Sequence, residues 1–432
     1  MHARPGSPCN PSAPFPPPSP PMHPPSPSHA ARRLALGLVL LAAPAAAATP
    51  AAAQAPPSTP ITEVVRAGEL APSADSVRVA DATSVVPPVT SAAISDVPTA
   101  AAPAIGAATT TKTAGLRASA RVMTAEALRA PLRLPVSGGT GPRVLHVQVL
   151  LAGAGFSPGV LDGHWAANTR GAVRAFREAH GFAPGESVDS AVYERLRAAS
   201  WDREAVVGYT LTAGDVRGPF RELPASSYAK ARLGCLCYAS MSEKLAERFQ
   251  TTPGILRQLN PGVALDSATA GTAIVVPNMW RMPPAWPLAR LVVDKRAGGV
   301  TGYDSAGTRL FWFASSTGGP DNPSPSGVLQ VRSVTIDPWY HYNPRVLKKG
   351  TGPVANLPPG PNSPVGTVWI QLSRAHIGIH GTPDPHLIGR AGSNGCVRLT
   401  NWDAAEVAHR LAEGVQIEFL DTRTAATQSA SR

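Results

Sequence analysis

Apolar positions change their period several times along the chain, and each change marks a different kind of segment. Val144, Val147 and Leu151 recur at helical spacing. Asp162-Gly163 marks a tight turn, and Asn168-Thr169 is predicted to cap a second helix that carries Val173 and Phe176 on one face, with Gly181 as its stop. Val192 and Leu196 form a third apolar stripe, so residues 143–200 read as a small three-helix domain around one core. Residues 233–278 read as a second small unit of βααβ order. Ser240 and Glu243 make a capping box for a helix through Leu245, Ala246 and Phe249. Thr252-Pro253 opens another helix, which stops at Asn260-Pro261, and Gly271-Thr-Ala-Ile-Val-Val-Pro277 closes the unit as a strand.

After a Pro-rich joint over 279–287 the period becomes 2. Leu291-Val-Val293, Leu310-Phe-Trp-Phe313, Val328-Leu-Gln-Val331 and the alternating Val415, Ile417, Phe419 are strand signals separated by turns such as Asp304-Ser-Ala-Gly307. One helix stands out, about Asp403 to Leu411, with Thr400 as its cap, Val407 and Leu411 facing inward and Gly414 as its end. Residues 288–422 are therefore expected to form a mainly-β domain, followed by a disordered tail over 423–432. The whole is a multidomain α+β chain.

Composition changes the picture at the other end. The first 140 or so residues are dominated by Pro, Ala, Ser and Thr, and such a stretch cannot bury enough apolar area to offset the entropy of ordering it. Residues 56–142 read as a disordered Ala/Pro-rich linker, with folded structure beginning near Arg143. Within residues 1–55, Arg32-Arg33 precede the apolar run Leu34 to Ala42 and an Ala-rich zone to Ala55, the three regions of a signal peptide. The run is too short to span a bilayer as a stable helix. Met22 is an alternative start, which would exclude Cys9. Export out of the cytoplasm is expected, with no transmembrane span in the mature protein. The formal net charge is +11, but the basic residues are scattered with no arm-like run, which argues against nucleic acid as partner.

Four cysteines, Cys9, Cys235, Cys237 and Cys396, are too few for a disulfide scaffold. Cys235 and Cys237 are expected to be two small buried side chains rather than a bridge. Cys396 stands alone, as a catalytic thiol can. It lies in Ser393-Asn-Gly-Cys-Val-Arg398, after Arg374-Ala-His-Ile-Gly-Ile-His-Gly381. In a strand, Ile377 and Ile379 would face the core and His376 and His380 the other side, with Gly378 leaving space for a ligand and His376 a candidate contact to it. Acyl transfer at cysteine needs a thiolate, a base and oxyanion donors. Cys396 supplies the sulfur, His380 the base, and backbone N–H groups around Asn394 and Gly395 the donors. A backbone carbonyl, that of Gly381, is the natural group to orient the imidazole. Arg398 suits a substrate carboxylate as readily as a local salt bridge, and Ser393 a pocket hydrogen bond as readily as a turn.

His380-Gly-Thr, followed sixteen residues later by the cysteine of Ser-Asn-Gly-Cys-Val-Arg, resembles the L,D-transpeptidase catalytic domain. Thr317-Gly-Gly, Pro323-Ser-Pro-Ser-Gly327 and Asn401-Trp-Asp403 fit as well. The resemblance covers about the last third of the chain. It implies a β-sandwich, no cofactor and no metal, with Cys396 as nucleophile and His380 as base. The implied donor is a tetrapeptide stem that loses D-Ala, and the implied acceptor is an amine, by 3→3 cross-linking or on a lipoprotein, or else water. Many members carry His where this chain has Asn394. Gln148-Val-Leu-Leu, Gly155-Phe, Leu161-Asp-Gly, Asn168-Thr, Ala172-Val-Arg-Ala-Phe176 and His180-Gly-Phe182 resemble the three-helix peptidoglycan-binding domain, with Ala166 in place of the usual Gly. Residues 233–278 resemble a LysM glycan-binding module whose opening Gly-Asp-Thr is replaced by Met241-Ser-Glu243. These resemblances imply peptidoglycan stem peptides and glycan strands as partners. Two rival readings use the same residues: a zinc site of His376, His380, His386 and Asp384, which leaves Cys396 unexplained, and a non-catalytic wall-binding protein.

Overall fold

A computed structural model describes residues 122–279, 287–347 and 350–421. The signal segment, Cys9, Met22, most of the linker and the Pro-rich joint, and the tail lie outside the described residues. Ordered structure begins earlier than Arg143. Thr124 caps helix α1 (Ala125–Arg129) by accepting the N–H of Ala127, Val136 bridges to Val188, and Met123 and Leu128 are buried with Leu145 and Val149. These few apolar side chains, set in a Pro- and Ala-rich stretch, find their burial on the next helix rather than among themselves.

The helical module consists of α2 (Pro142–Gly153), which starts on a proline, α3 (Ala167–Ala179) and α4 (Ser190–Ala199), capped by Asp189. Phe176, Val192 and Leu196 are fully buried in one cluster with Val173. Asn168 and Thr169 do not cap α3. The cap is Ala166, and the two polar residues sit in the first turn, where Thr169 accepts from Gln148 at 3.0 Å and Asn168 donates to the Ile388 carbonyl at 2.9 Å. A short strand, β1 (Phe156–Ser157), leaves this module.

The second unit is larger than 233–278. Its closing strand β3 (Ala273–Pro277) pairs antiparallel with β2 (Val206–Thr210), from Val206↔Pro277 to Thr210↔Ala273. The opening strand therefore lies some thirty residues upstream of the expected one, and Gly214-Asp215 follow it in the short helix α5 (Ala213–Val216). The short helix α6 (Ser227–Lys230) belongs to a stretch inserted before the helical pair α7 (Met241–Arg248), capped by Ser240, and α8 (Pro253–Leu259), capped by Thr252. Cys235 and Cys237, on the inserted stretch, form a disulfide, contrary to the expectation of two free side chains. It holds Leu236, fully buried, between its N–H bond to Pro359 and the N–H that its carbonyl receives from Asn362.

Two sheets make up the last domain. They share β7 (Gly327–Ile336), whose first half pairs with β13 (Gln416–Leu420) and whose second half pairs with β10 (Val368–Leu372). One sheet continues through β4 (Arg290–Asp294), β5 (Gly299–Tyr303) and β6 (Arg309–Ala314). The other continues through β11 (Gly378–His380) and β12 (Val397–Arg398). A strand that changes sheets midway turns a corner. Phe311 and Phe313 of the first sheet and Ile370, Ile379 and Val397 of the second accordingly share one buried cluster with Val407 of α9 (Asn401–Arg410). The helix begins two residues earlier than expected and ends at Arg410, before Gly414. β8 (Tyr340–Tyr342) and β9 (Ala355–Leu357) form a separate hairpin.

The modules are joined by more than connecting chain. β1 extends the first sheet, parallel to β6. Ser157 of β1 donates to the buried carboxylate of Asp403 at 2.8 Å, and Trp312 and Ile388 pack into the helical module's core.

Candidate active site

β11 is three residues long, and that shortness shapes the site. Ile379 pairs with Val397 and His380 with Arg398 in parallel register. Ile379 and Val397 are fully buried, so the alternation sends His380, Arg398 and the preceding Cys396 to the opposite face. His376 is not on that strand. It lies exposed in the turn between β10 and β11 with φ +61°, and what it offers the site is its carbonyl, which receives the Cys396 thiol at 3.5 Å. Gly378 does not leave space for a ligand. A Cβ there would stand 2.7 Å from the Trp369 ring, and that indole crosses the glycine to stack on His380, centroids 5.6 Å apart.

The His380 ring is buried at 6% exposure. Its Nδ1–H donates to the Gly381 carbonyl at 2.6 Å. That bond fixes the tautomer, so Nε2 carries the lone pair. Burial lowers the imidazole pKa to about 4; the Gly381 carbonyl opposes that shift, and the Arg398 charge adds to it. At neutral pH the ring is an uncharged base. Burial also pushes the Cys396 thiol up, against the Gly378 N–H and the Arg398 guanidinium, which favour the thiolate. The resting groups are thus a thiol and a neutral imidazole.

The turn carrying the cysteine is built from Gly395, at φ +98°, and two serines that occupy its carbonyls. Ser324 donates to the Gly395 oxygen at 2.9 Å while accepting from the Gly318 N–H at 2.8 Å. Buried Ser393 donates to the Cys396 oxygen, so of the two roles open to it the structure uses the turn. Asn394 is exposed at the rim and Arg398 is half-buried on the site's face. Among the described residues, the N–H groups of Asn394, Gly395 and Cys396 donate to no carbonyl.

Behind the base stands Asn401. Its Oδ1 accepts the N–H of Thr382 at 3.0 Å, and its Nδ2 donates to Glu247 of α7 at 2.9 Å and to the Pro361 carbonyl at 3.1 Å. A Cβ on Gly381 would stand 2.2 Å from Asn401 Oδ1, which makes that glycine a packing requirement. Sequence reading missed Glu247. It also missed Tyr340 of β8, whose hydroxyl pKa is raised by burial and next by the charge on Cys396. The signal for it was the run Trp339-Tyr-His-Tyr342 in a chain with 6% aromatic residues. The zinc alternative finds no support in the geometry: among the described residues no three His, Cys, Asp or Glu side chains gather as a metal would need.

A cysteine and a carbonyl-oriented imidazole at the edge of a β-sheet, with backbone amides beside the sulfur, are the parts that thiol acyl transfer needs. Residues 289–418 match the family model of the L,D-transpeptidase catalytic domain, and residues 140–196 match that of the "Putative peptidoglycan binding domain". "Putative L,D-transpeptidase YkuD" of Bacillus licheniformis is 29% identical over 177 residues, which cover 41% of this chain and 92% of the relative. "Probable L,D-transpeptidase YbiS" of Escherichia coli K12 is 26% identical over 204 residues, 43% of this chain and 61% of the relative. Among solved structures, the L,D-transpeptidase of Xylanimonas cellulosilytica is 15% identical and aligns over 67% of this chain and 98% of its own, at a TM-score of 0.30. At that score the likeness carries no argument. The chain thus has a stretch similar to L,D-transpeptidase catalytic domains behind one similar to peptidoglycan-binding domains.

Proposed function

We propose that this protein is a peptidoglycan L,D-transpeptidase of the periplasm or cell wall. The observation that carries the reading is the His380 imidazole, held by Gly381 in the tautomer that accepts a proton and kept neutral by burial, on the same face as Cys396. His380 Nε2 takes the thiol proton as Cys396 Sγ attacks the carbonyl of the third residue of a tetrapeptide stem. The amides of Asn394, Gly395 and Cys396 receive the oxyanion. Collapse of the tetrahedral intermediate expels D-Ala, protonated by the imidazolium, and leaves a thioester. An amine then displaces the thiol, giving a 3→3 cross-link with a second stem, or attachment when the amine belongs to a lipoprotein. Water at that step would make the enzyme an L,D-carboxypeptidase. Arg398 supports the reading as a cation beside the site able to hold a stem carboxylate. Asn394 takes no part in proton transfer, because an amide does not titrate. The helical module holds glycan strands or stem peptides near the site, and the second unit is proposed to do the same for glycan.

The test is incubation of the protein with disaccharide-tetrapeptides and mass analysis of the products. Loss of D-Ala with dimers is expected. Loss without dimers would assign the carboxypeptidase, and unchanged substrate, or equal turnover by Cys396→Ala, would remove the proposal.

A further inference from the structure

The Gly381–Thr382 peptide unit is gripped at both ends. Its carbonyl accepts from His380 Nδ1 at 2.6 Å, and its N–H donates to Asn401 Oδ1 at 3.0 Å. The two groups lie in one rigid plane and point in opposite directions, so the partner of the N–H sets where the carbonyl aims. Asn401 is itself fixed. Its Oδ1 takes a second N–H, that of Thr367, at 3.4 Å, and its Nδ2 donates to Pro361 O and to Glu247 Oε2. Glu247 sits on α7, in the unit that precedes the catalytic domain, 154 residues away from Asn401 in sequence. Its other oxygen accepts from Tyr238 at 2.9 Å.

We propose that Glu247 is a positioning residue for His380, acting through Asn401 and the Gly381–Thr382 peptide unit. The inference rests on the reading of Cys396 and His380 as the reacting pair. A run of hydrogen bonds goes from the Glu247 carboxylate through the Asn401 amide and that peptide to the imidazole, with every donor pointing toward the carboxylate. In such a chain each bond polarises the next. A carboxylate at its end makes the Gly381 oxygen a stronger acceptor, which holds the ring in place and raises the basicity of Nε2. The upstream unit thereby supplies part of the support of the catalytic base rather than serving only as a spacer. Burial disfavours ionisation of the Glu247 carboxyl, the hydrogen bonds from Asn401 and Tyr238 favour it, and the charge of Glu243 disfavours it; Glu243 is itself held by Asn362 at 2.8 Å.

The experiment measures the rate at which a carbapenem such as imipenem acylates Cys396 in the full-length chain, by intact mass, across pH 5.5–8. Glu247→Ala is expected to slow acylation at least tenfold and alter the pH profile. Glu247→Gln should recover most of the rate, because its oxygen still accepts from Asn401 while its amide donates to the Tyr238 oxygen. The double variant Glu247→Ala/Asn401→Ala should be no slower than Asn401→Ala alone, since both break one chain. Leu256→Ala, which hollows the same unit's core without touching these bonds, should lower Tm and leave the rate and profile of the folded protein unchanged. Should Glu247→Ala not fold, Asn401→Asp sets two oxygens against each other, and adding Glu247→Gln should restore rate by donating across the gap; no gain from the second change overturns the proposal. A Glu247→Ala rate within twofold of wild type, or equal slowing by Leu256→Ala, also overturns it. A wild-type chain that forms no adduct overturns the reading of the site itself.

Discussion

The neutral state of His380 has a cost at acid pH that can be measured without any substrate. In the unfolded chain this histidine titrates at its ordinary value of 6.5, and in the folded protein only near 4. As pH falls below 6.5 the unfolded state takes up a proton that the native site refuses, so stability that is complete above 6.5 is lost as pH falls toward 4. Each unit in that window is worth about 1.4 kcal/mol. Lowering pH from 7.5 to 4.5 should therefore remove roughly 2–3 kcal/mol through this one side chain. Glu247 acts in the opposite sense. Burial raises its carboxyl to about 7, so its contribution is lost as pH rises from 4.5 toward 7. A comparison with His380→Gln cancels that term and every other titration the two proteins share. Gln never ionises, and its amide can still donate to the Gly381 carbonyl. Urea unfolding at pH 7.5 and 4.5 should show wild type losing roughly 2–3 kcal/mol more than the variant. Equal losses in the two proteins would mean that the ring is solvated or already charged, and the account of a buried neutral base would fail.

With the carboxyl that titrates near 7 removed by Glu247→Gln, the same neutral pair should make carbapenem acylation nearly flat between pH 5.5 and 7.5, with no acid limb at 6.5; a tenfold fall across that range in this variant would point to a solvated imidazole. Gly381→Ala forces a methyl to within 2.2 Å of Asn401 Oδ1, and should reduce acylation at least tenfold while Cys396 remains titratable by a thiol reagent after unfolding. Ser157→Ala removes a donor from the fully buried Asp403 carboxylate, and should lower stability by about 1–3 kcal/mol in a denaturant titration, with an unchanged acylation rate for the folded fraction.

Much of the site was legible because it is local. Alternation puts Ile379 on one side of its strand and His380 on the other, and Gly-Cys in a turn is a sequence pattern whatever surrounds it. The caps at Thr252 and Thr400 are local for the same reason, since each needs only an N–H three residues on. Errors came where a distant partner decided. His376 looks like a strand residue until β10 and β11 are paired, when it becomes the turn between them. Gly378 looks like open space until Trp369 is laid across it. Cys235 and Cys237 are ambiguous as a pair of cysteines, and the second unit's opening strand could not be found before β3 had chosen β2.

Sequence alone picked out the candidate side chains and most of the helices and strands, because periodicity and capping depend on residues a few positions apart. Tertiary structure decided the contacts that surround them: Asn401 against Gly381, Glu247 against Asn401, and Ser157 against Asp403. Such contacts join residues up to 246 positions apart. They are selected by burial and by the need to satisfy enclosed polar groups, and neither exists until the modules have packed.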